Sequence, residues 1–559
     1  MCGFIYQEKK RSKFNIDKLQ FKKASKLIYH RGPDSKNFIF DNNVNIFHSR
    51  LKIIDLNKRS NQPMKRLGYS ILFNGEIYNF KKLKQELSKD FIFETNSDTE
   101  VLLFSFIKWK EKMFDKINGM FSFLIFNQKE KLLFFARDLF GQKPLYYINN
   151  KNQITFSSEI KPILKLKKSK KIQFDDKEIF KYLNFNYYCD SERTFFKSVK
   201  QIKPGTYGYF KNNKLIFKKI NYKSYVSKIN SPNLIKLLKN EIKEHLVSDV
   251  ETAIMISEGI DSKSILDISK KLFHKKLKLF NLEFEGFNND EFKNEYHKKE
   301  KSNLIITKFL KKDLFKELKN ASAACETPPL GLFTLGMMKL FRNIKSNKIK
   351  VVLNGQGVDE IFGGYNSFYM KKLEKNLYHP DGSILSAQKN IYKRSIISKK
   401  IFHKNLKSQI KYMAFESKIP KNLNQYDKIS MNYSVECRSP YLTKNLAGLI
   451  GKLKINQLTY DNHNKYLFRK SLYNLTKDKF YFNEKKFKQA PQTEFMMNKI
   501  NLLKINKIIK NKNYCDKYFN KINLLKYLEE FNKSKNNGFV VWQYISLNSF
   551  INSFNKFNS

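Results

Sequence analysis

The sequence predicts a two-domain protein in which an α+β part with antiparallel sheets precedes an α/β part with a parallel sheet. At 559 residues the chain is too long for a single hydrophobic core. Over roughly the first two hundred residues, short apolar runs alternate with Gly, Asn and Asp, which is typical of antiparallel strands. Beyond about residue 223, longer amphipathic helices separate buried strands, which is typical of a parallel sheet.

Strands and hairpins are predicted throughout the first part of the chain. The apolar runs that predict them are NFIF, YSILFNGEIYNF, GMFSFLIF, KLLFFARDLFG and PLYYINN. Ser97 and Glu100 fit a capping box that begins the helix VLLFSFIKW. The segment KPGTYGYFKNNKLIFKKINYKSYVS ends this pattern, so we predict domains at residues 1–222 and 223–559.

Buried strands separated by helices are predicted in the second part of the chain. The runs ETAIMIS and KIKVVLNG are apolar and short, and helical patterns lie between them. Since parallel strands need a crossover connection, this alternation predicts a parallel sheet. No internal repeat or low-complexity linker interrupts the sequence.

Composition argues against several classes of protein. The hydrophobic share is 41% and the aromatic share 15%, which is enough to bury large cores and argues against disorder. No apolar run approaches eighteen residues, and the beginning of the chain does not resemble a signal peptide. We therefore expect a cytoplasmic protein without membrane contact. The 5 cysteines are far apart and form no CxxC pair, which argues against a disulfide framework and a zinc site.

The formal charge of +56 raises the question of nucleic-acid binding. Lysines are scattered through nearly every segment alongside Asn, Ile and Phe, which indicates a bias of the whole chain and no concentrated basic stripe. We therefore expect no nucleic-acid partner. A basic surface favours anionic small substrates instead.

Cys2 directly follows the initiator methionine. If an aminopeptidase removes Met1, the Cys2 thiol lies next to a free α-amine. An α-amine titrates near pH 8, so it is suited to act as the general base for that thiol. The alternative is that Cys2 is merely a small residue that follows a methionine.

Four further stretches bear on this choice: LIYHRGPDS (27–35), SRLKIIDLNKRSNQPM (49–64), FNGEIYNF (73–80) and NSDTEVLLFSF (96–106). Each has a structural alternative, because HRGPD also suits a turn, RLKIIDL an alternating strand and NG a hairpin corner. In this order behind MCG they resemble the N-terminal nucleophile (Ntn) glutaminase domain of class II glutamine amidotransferases, an αββα sandwich.

This resemblance implies a set of roles in glutamine hydrolysis. Cys2 would attack the side-chain amide, and its own α-amine would take the proton. Asn74 and the backbone amide of Gly75 would form the oxyanion hole. Arg50 would bind the α-carboxylate, while Glu76 and Asp98 would bind the α-ammonium.

The second part of the chain contains two loops suited to phosphate. AIMISEGIDSKSILDI (253–268) resembles the SGGxDS loop of ATP pyrophosphatases, the PP-loop, in which a helix N-terminus cradles pyrophosphate. VVLNGQGVDEIFGGY (351–365) closely resembles the SGEGxDExFGGY segment of asparagine synthetases. The positions that match ATP-binding residues are Ser257, Gly259, Asp261, Ser262, Gly355, Gln356 and Asp359, with Glu360 also matching the second loop.

The segment YDKISMNYSVECRSPYL (426–442) resembles the DRxSMxxSxExRxPFLD block of the same family. NKYLFRKSL and NEKKFKQAP then provide Lys465 and Lys485 as cations for phosphate or for the transition state. Asp261 and Asp359 would hold Mg²⁺. Isolated lysines in so basic a chain usually lie on a solvated surface, so only their place in these segments supports this role.

The resemblance to glutamine-dependent asparagine synthetases extends from residue 2 to about residue 495. It implies that ATP adenylates aspartate, and that ammonia from glutamine passes through the interior to the activated acyl group. Glutamine, aspartate, ATP and Mg²⁺ are the implied small-molecule partners. A homodimer is compatible with the resemblance, and the last sixty or so residues contain no motif.

Some positions depart from the family pattern. Glu258 replaces a glycine, which predicts a carboxylate beside the pyrophosphate and the loss of a residue suited to positive φ; two charges about 4 Å apart differ by ~4 kcal/mol at an effective dielectric of about 20. Gln356 replaces a glutamate and cannot take a proton. Lys428 and Thr443 replace an Arg and an Asp.

These departures leave the acceptor open. One alternative is that the chain amidates another carboxylate, such as a sugar acid in surface-polysaccharide synthesis, because glutamine hydrolysis and ATP use do not identify the acceptor. Another is that the chain is a binding or regulatory protein that retains only glutaminase activity or none, since Glu258 weakens the expectation of ATP use.

Overall fold

The structure is a computed structural model that describes residues 2–10, 17–127, 129–167, 171–186, 188–222, 229–273, 277–287, 304–365, 406–483, 490–535, 538–555 and 557. Several sequence predictions fall outside these residues. They are the fate of Met1, the exact domain boundary at residue 223 and the position of Lys485.

The strands alternate with short turns in the first part of the chain and with helices in the second. They are β1 (Cys2–Lys9), β2 (Ser35–Phe40), β3 (Val44–Arg50), β4 (Met64–Arg66), β5 (Tyr69–Ile77), β6 (Gly119–Asn127), β7 (Leu132–Arg137), β8 (Tyr146–Asn149), β9 (Gln153–Ser157), β10 (Lys200–Gln201), β11 (Thr206–Lys211), β12 (Lys214–Lys219), β13 (Thr252–Met255), β14 (Lys278–Phe284), β15 (Leu304–Phe309), β16 (Val351–Leu353), β17 (Glu436–Arg438), β18 (Thr459–Tyr460) and β19 (His463–Asn464).

The helices are concentrated in the second part of the chain. They are α1 (Lys18–Lys26), α2 (Phe80–Leu87), α3 (Asp98–Trp109), α4 (Met113–Lys116), α5 (Ile160–Leu166), α6 (Asp176–Phe185), α7 (Ser231–His245), α8 (Ile260–Phe273), α9 (Leu314–Cys325), α10 (Leu332–Ser346), α11 (Val358–Phe362), α12 (Leu406–Phe415), α13 (Lys418–Met431), α14 (Lys444–Ala447), α15 (Ile455–Leu458), α16 (Tyr466–Thr476), α17 (Gln492–Met496), α18 (Lys499–Lys510), α19 (Lys521–Ser534) and α20 (Gly538–Asn555).

The first part of the chain is a four-layer sandwich. Within the described residues, its strands form two six-stranded sheets in the orders β10-β8-β9-β1-β3-β2 and β12-β11-β7-β6-β5-β4. Apolar side chains from both sheets, such as Phe4 and Leu124, pack between them. Helices α1 and α5 cover the first sheet, and α2 and α3 cover the second. This is the αββα arrangement that the resemblance implied.

Strand register brings the residues of the first predicted site to one end of the sandwich. Strand β1 pairs antiparallel with β3, and Cys2 lies directly opposite Arg50. Strand β5 pairs antiparallel with β6, so that Gly75 lies opposite Phe121. Strands β1 and β5 belong to different sheets, and most of their residues are buried. The beginning of β1 nevertheless lies next to the end of β5, where Cys2 and Asn74 are in contact.

The second part of the chain contains a parallel sheet. In the described residues its order is β15-β14-β13-β16-β17, and every neighbouring pair is parallel. The central strands β13 and β16 each lead into a loop and then into a helix, α8 and α11. In sheets of this kind, ligands bind outside the carboxyl ends of the strands. Both predicted phosphate loops therefore lie at the edge where a ligand is expected.

The two parts share extensive apolar packing. One cluster of buried side chains includes Tyr146 and Ile160 from the first part and Met255 and Phe341 from the second. Helix α20 belongs to the same cluster and packs against α9, so the segment without a recognised motif completes the core. No helix in the described part of the chain has the length and apolar character needed to cross a membrane.

The predicted fold class is confirmed, and three of the structural alternatives weighed for the quoted stretches differ from the structure. In RLKIIDL, Arg50 ends β3 and residues 51–56 form a loop, while Asn74 and Gly75 lie inside β5 and not at a hairpin corner. Ser97 caps α3 by accepting from the Glu100 amide at 3.3 Å. The Glu100 carboxylate bonds the Thr95 amide at 2.7 Å, so the capping box is not reciprocal.

Candidate active site

Cys2 begins β1 and is almost fully buried, with 7% of its surface exposed. Burial raises the pKa of its thiol, while a hydrogen bond from the Leu51 amide and the charge of Arg50 oppose that rise. A thiol with a raised pKa is a weak nucleophile unless a base takes its proton. The site therefore needs a base beside Cys2.

The two ends of the Asn74 side-chain amide have different surroundings. Its Oδ1 accepts a hydrogen bond from the Cys2 backbone nitrogen at 3.2 Å. Its Nδ2 is buried and has no hydrogen-bond partner among the described residues. An unsatisfied buried donor costs free energy, and such a donor at a candidate site indicates a missing acceptor. A substrate oxyanion would supply that acceptor.

Gly75 is required by packing. A Cβ at this position would lie 2.1 Å from the Met120 carbonyl oxygen and 2.8 Å from Phe121 Cα, both on the neighbouring strand. Because these are backbone atoms, a side chain cannot be accommodated by a rotamer change. The glycine lets β5 and β6 approach closely beside Asn74.

The Arg50 guanidinium is held by neutral oxygen atoms of the loop that follows β3. Nη1 donates to the Asn57 carbonyl at 2.8 Å and to Asn61 Oδ1 at 3.0 Å, while Nη2 donates to the Ile54 carbonyl at 3.1 Å and to the Asp55 carbonyl at 2.5 Å. These bonds fix the orientation of the guanidinium without neutralising its charge. They occupy all four Nη hydrogens, so Nε–H and the uncompensated positive charge remain for a carboxylate.

Glu76 and Asp98 are two buried carboxylates beside this pocket. Burial and the charge of Asp98 raise the pKa of Glu76 well above its usual value. Burial raises the pKa of Asp98 to about 6, although the Ile77 amide donates to Asp98 Oδ2 at 3.0 Å. Two such carboxylates favour a cation between them. With Arg50 at the other end, the pocket has the charge pattern of a zwitterion site.

The first phosphate loop joins β13 to α8. Ser257 and Gly259 are exposed, while Ser262 is buried and its Oγ accepts from the Ser257 amide at 2.9 Å. The Ser257 and Ser262 hydroxyls lie 3.1 Å apart. The loop thus presents hydroxyl groups and amides at the beginning of a fourteen-residue helix, which favours anions.

Lys465 joins the two phosphate loops. Its ammonium lies 2.8 Å from Asp261 and 2.6 Å from Asp359, and the lysine is 1% exposed. Lys465 directly follows the hairpin of β18 and β19. The two turn residues, Asp461 and Asn462, both have positive φ, as a two-residue type I′ turn requires. Lys465 itself has φ of 55°, a conformation that tertiary contacts must hold.

Two glycines allow this close approach. A Cβ at Gly355 would lie 2.9 Å from the Asp261 backbone and from the Ser262 nitrogen. A Cβ at Gly364 would lie 1.8 Å from Asp359 Oδ1 and 2.2 Å from Lys465 Cε. The second loop therefore packs directly on the first and on the Lys465 cluster. Gln356 lies between these glycines, and its side chain bonds Tyr426.

The structure corrects the prediction that Glu258 occupies a position suited to positive φ. Its φ does not fall in the left-handed region, so replacing the family's glycine imposes no backbone strain here. The side chain is partly exposed, which allows solvent to screen its charge. Lys263, a nearby cation that could offset this charge, is itself paired with Asp267 at 2.8 Å and with Asp478 at 3.0 Å. The charge beside the loop remains the reason for expecting weaker phosphate binding.

The two remaining departures have structural explanations. Lys428 Nζ lies 2.9 Å from Glu326 Oε2, and both side chains are fully buried. Glu326 also accepts from the backbone amides of Ile160 and Lys161, so this ion pair joins the two parts of the chain. Thr443 caps α14 by accepting from the Leu446 amide at 3.4 Å, as an aspartate would.

Sequence reasoning assigned no role to two arginines, Arg31 and Arg438, that the structure places between the sites. Arg31 donates to the Cys2 carbonyl at 3.1 Å and to Asp427 at 2.8 Å, and is fully buried. Arg438 lies 3.1 Å from Glu76. Arg31 and Arg438 both fall within the quoted family segments, so the only sequence signal was membership of those segments.

Comparisons with known proteins agree with this arrangement. A family model described as a glutamine amidotransferase domain matches residues 1–223, and one described as asparagine synthase matches residues 233–549. Glutamine-hydrolysing asparagine synthetase 1 of Bacillus subtilis is 28% identical over 98% of this chain and 97% of its own length. Glutamine-hydrolysing asparagine synthetase 3 of the same organism is 27% identical over 87% of this chain and 86% of its own length.

Proposed function

The chain belongs to the asparagine synthase family and is a ligase that forms carbon–nitrogen bonds, and from this premise we propose that it makes asparagine. In this proposal it hydrolyses glutamine at Cys2 and transfers the ammonia to aspartate that ATP has adenylated. The products are asparagine, glutamate, AMP and pyrophosphate. We further propose that the enzyme acts in the cytoplasm and forms a homodimer.

One observation supports the proposal most strongly. Asn74 Oδ1 bonds the Cys2 nitrogen while the buried Nδ2 of the same side chain has no partner among the described residues, and the Lys465 ammonium joins Asp261 and Asp359 in a second site of the same chain. A glutaminase alone would need only the first arrangement. A chain that combines both is suited to release nitrogen at one site and to activate a carboxylate at the other.

The geometry of the first site supports the proposed glutamine hydrolysis. In the processed chain, the Cys2 nitrogen is an α-amine, and Asn74 Oδ1 holds it beside the thiol as the general base. Arg50 binds the α-carboxylate, and Glu76 with Asp98 binds the α-ammonium. Asn74 Nδ2 and the Gly75 amide then stabilise the oxyanion, which typically contributes about 10²–10³ in rate per donor.

Carboxylate activation depends on the second site. A bare carboxylate has no usable leaving group, so the reaction needs adenylation before ammonia attacks. The amides and hydroxyls of Ser257 and Ser262 bind the pyrophosphate, and Lys465 offsets its negative charge. Lys485, which lies outside the described residues, stays a predicted second cation.

Magnesium fits the residues of this site. Asp261 and Asp359 direct carboxylate oxygens at one ammonium, so both are close to one point. Mg²⁺ in nucleotide sites is usually held by one or two carboxylates together with phosphate oxygens and water. When bound, the ion would neutralise phosphate charge. Among the described residues, no group of three or more His, Cys, Asp or Glu is arranged to hold a metal.

A second candidate acceptor is favoured by Gln356. This residue lies in the second phosphate loop between Gly355 and Gly357, and it cannot accept a proton as the family's glutamate can. A different acceptor would relax the need for that glutamate. We therefore keep amidation of another carboxylate, such as a sugar acid, as the alternative.

Product analysis separates these candidates. The purified chain is incubated with glutamine, ATP, Mg²⁺ and aspartate, and asparagine, glutamate and pyrophosphate are quantified. Asparagine formed in proportion to pyrophosphate supports the proposal. Pyrophosphate that appears only with another carboxylic acid supports the alternative. Glutamate without pyrophosphate, with any acid, contradicts both. The mass of the mature chain is measured in parallel, because retained Met1 would leave Cys2 without its amine.

Replacing Glu258 tests the charge beside the phosphate loop. We expect Glu258→Gly to lower KM for ATP about tenfold, less than a ~4 kcal/mol repulsion would give because solvent screens a partly exposed carboxylate. ATP-dependent pyrophosphate release is the measurement. Glu258→Gln is the matched control, since it removes the charge but keeps the side chain and should give most of the effect. Equal KM values in all three chains would show that the carboxylate is harmless.

A further inference from the structure

Arg438 belongs to the parallel sheet, yet its side chain reaches the glutamine pocket. Nη2 lies 3.1 Å from Glu76 Oε2, and Nε lies 2.6 Å from Glu436 Oε1. Nη1 donates to the carbonyl oxygens of His245 and Val247 at 2.8 and 2.7 Å. The side chain is fully buried. Every nitrogen of the guanidinium is thus fixed, and one of them is directed at a residue of the other domain.

Glu76 needs this contact. Asp98 from α3 and Glu436 from β17 face it with negative charge, and Arg438 is the cation that faces it from β17. Tyr78 and His245 stack beside the cluster with ring centroids 3.7 Å apart, and burial lowers the pKa of His245 to about 3, so that ring is neutral. In the processed chain the Cys2 α-amine lies nearby. Without Arg438, Glu76 would be a buried carboxylate among other carboxylates.

The opposite end of the pocket also rests on the second domain. Asp249 Oδ2 accepts from the Asp55 amide at 2.8 Å, and the Asp249 amide donates to the Ile53 carbonyl at 3.0 Å. This loop, residues 51–57, supplies the carbonyl oxygens that orient Arg50. Both ends of the pocket are therefore supported from outside the glutaminase sandwich.

We infer that the second domain completes the glutamine pocket, with Arg438 as the positioning residue that holds the Glu76 carboxyl group directed at the substrate α-ammonium. This inference rests on the proposed glutamine hydrolysis. Arg438 does not contact glutamine itself, because Glu76 lies between them. Its backbone carbonyl accepts from the Asn354 amide at 2.9 Å, at the beginning of the second phosphate loop. The same residue thus contacts both sites.

The inference sets the sign of a pH effect. Glu76 and Asp98 attract an ammonium only when they are ionised, and burial raises the pKa of each. Affinity for glutamine should therefore increase as pH rises through the range in which they lose protons. The positive charge of Arg438 opposes the rise in the pKa of Glu76 that burial and Asp98 cause. Removing Arg438 should move the increase to higher pH.

The test uses the full chain and measures glutamate release from glutamine without ATP. For Arg438→Met, we expect KM for glutamine to rise on the order of 10- to 100-fold, as when a hydrogen bond to a charged group is lost. We expect kcat to change less, and the pH dependence of kcat/KM, followed from about pH 5.5 to about pH 8.5, to shift upward by about one unit. Arg438→Lys should restore part of the affinity.

Two comparisons distinguish positioning from a merely structural role. In a Glu76→Gln chain, adding Arg438→Met should raise KM little further, because the group through which Arg438 acts is gone. Asp249→Ala changes an exposed residue at the other end and should raise KM for glutamine about threefold. Arg342→Met is the matched control, since Arg342 pairs with Glu317 away from both sites.

Several outcomes overturn the inference. An unchanged KM and pH profile in a folded Arg438→Met chain would contradict it, and so would effects of Arg438→Met and Glu76→Gln that simply add. If Arg438→Met does not fold, an unchanged KM in both Arg438→Lys and Asp249→Ala would contradict it equally. A wild-type chain that releases no glutamate would contradict the proposed function itself, which is a different result from wild-type activity that the variants leave unchanged.

Discussion

Replacing Cys2 by alanine should abolish glutamine-dependent synthesis, with a loss of at least ~10³-fold, while synthesis from free ammonia stays within about twofold of wild type. The reason is that Cys2, among the described residues, is the cysteine that lies opposite Arg50 in the sheet and whose backbone nitrogen bonds Asn74. The second site, around Lys465, does not involve Cys2 and would still receive nitrogen from solution. Asparagine formation with glutamine and with ammonium chloride is the pair of measurements.

A matched cysteine variant controls for the loss of a buried thiol. Cys515 is also fully buried, but it lies in the core formed with the C-terminal helices and belongs to neither site. Cys515→Ala should therefore leave the ratio of glutamine-dependent to ammonia-dependent rates unchanged, even if both rates fall. Glutamine-dependent synthesis that survives in Cys2→Ala would show that another group attacks glutamine, and the nucleophile would have to be reassigned.

Replacing Lys465 by methionine should abolish synthesis but leave glutamine hydrolysis largely intact. We expect synthesis from either nitrogen source to fall by at least ~10³-fold, while glutamate release without ATP stays within about threefold. Methionine keeps most of the apolar length but removes the cation between Asp261 and Asp359. Those carboxylates would then repel each other and the phosphates of ATP. Pyrophosphate release and glutamate release are measured on the same preparation.

Lys470→Met is the control for this variant, because Lys470 is an exposed lysine of the same helix, α16. It should retain wild-type rates in both assays. The interpretation would fail if Lys465→Met released pyrophosphate normally. It would also fail if glutamate release disappeared along with pyrophosphate release in a folded chain, since the two sites would then not be separable in the way the structure indicates.

Much of the candidate site could be predicted from the order of motifs. Cys2, Arg50, Asn74 and Asp98 are far apart in sequence, but each lies in a segment whose residue types match one step of glutamine hydrolysis. Local patterns alone would have failed here. The alternation in RLKIIDL suits a strand, yet β3 ends at Arg50 and the rest of the run forms a loop, in which the carbonyl oxygens of Ile54 and Asp55 accept hydrogen bonds from the Arg50 guanidinium.

The contacts between domains could not be predicted in the same way. In the sequence Lys428 is a departure from the family pattern that leaves the acceptor open, whereas in the structure it pairs with Glu326 in the buried interface. Nothing in a sequence pairs residues 428 and 326, because this contact depends on how a helix of the second domain docks. A buried charge needs a partner wherever packing provides one.

By itself, the sequence determined the fold class and indicated the chemistry: a cysteine behind the initiator methionine, a loop suited to anions after each of two buried strands, and a switch from antiparallel to parallel patterning. These features depend on residue types and short-range spacing, so they can be read along the chain. Only the tertiary structure decided which side chains of the second domain contact the residues of the first site. Arg438 and Glu76 lie 3.1 Å apart because two separate sheets pack together, and long-range packing of that kind leaves no periodic signal in the sequence.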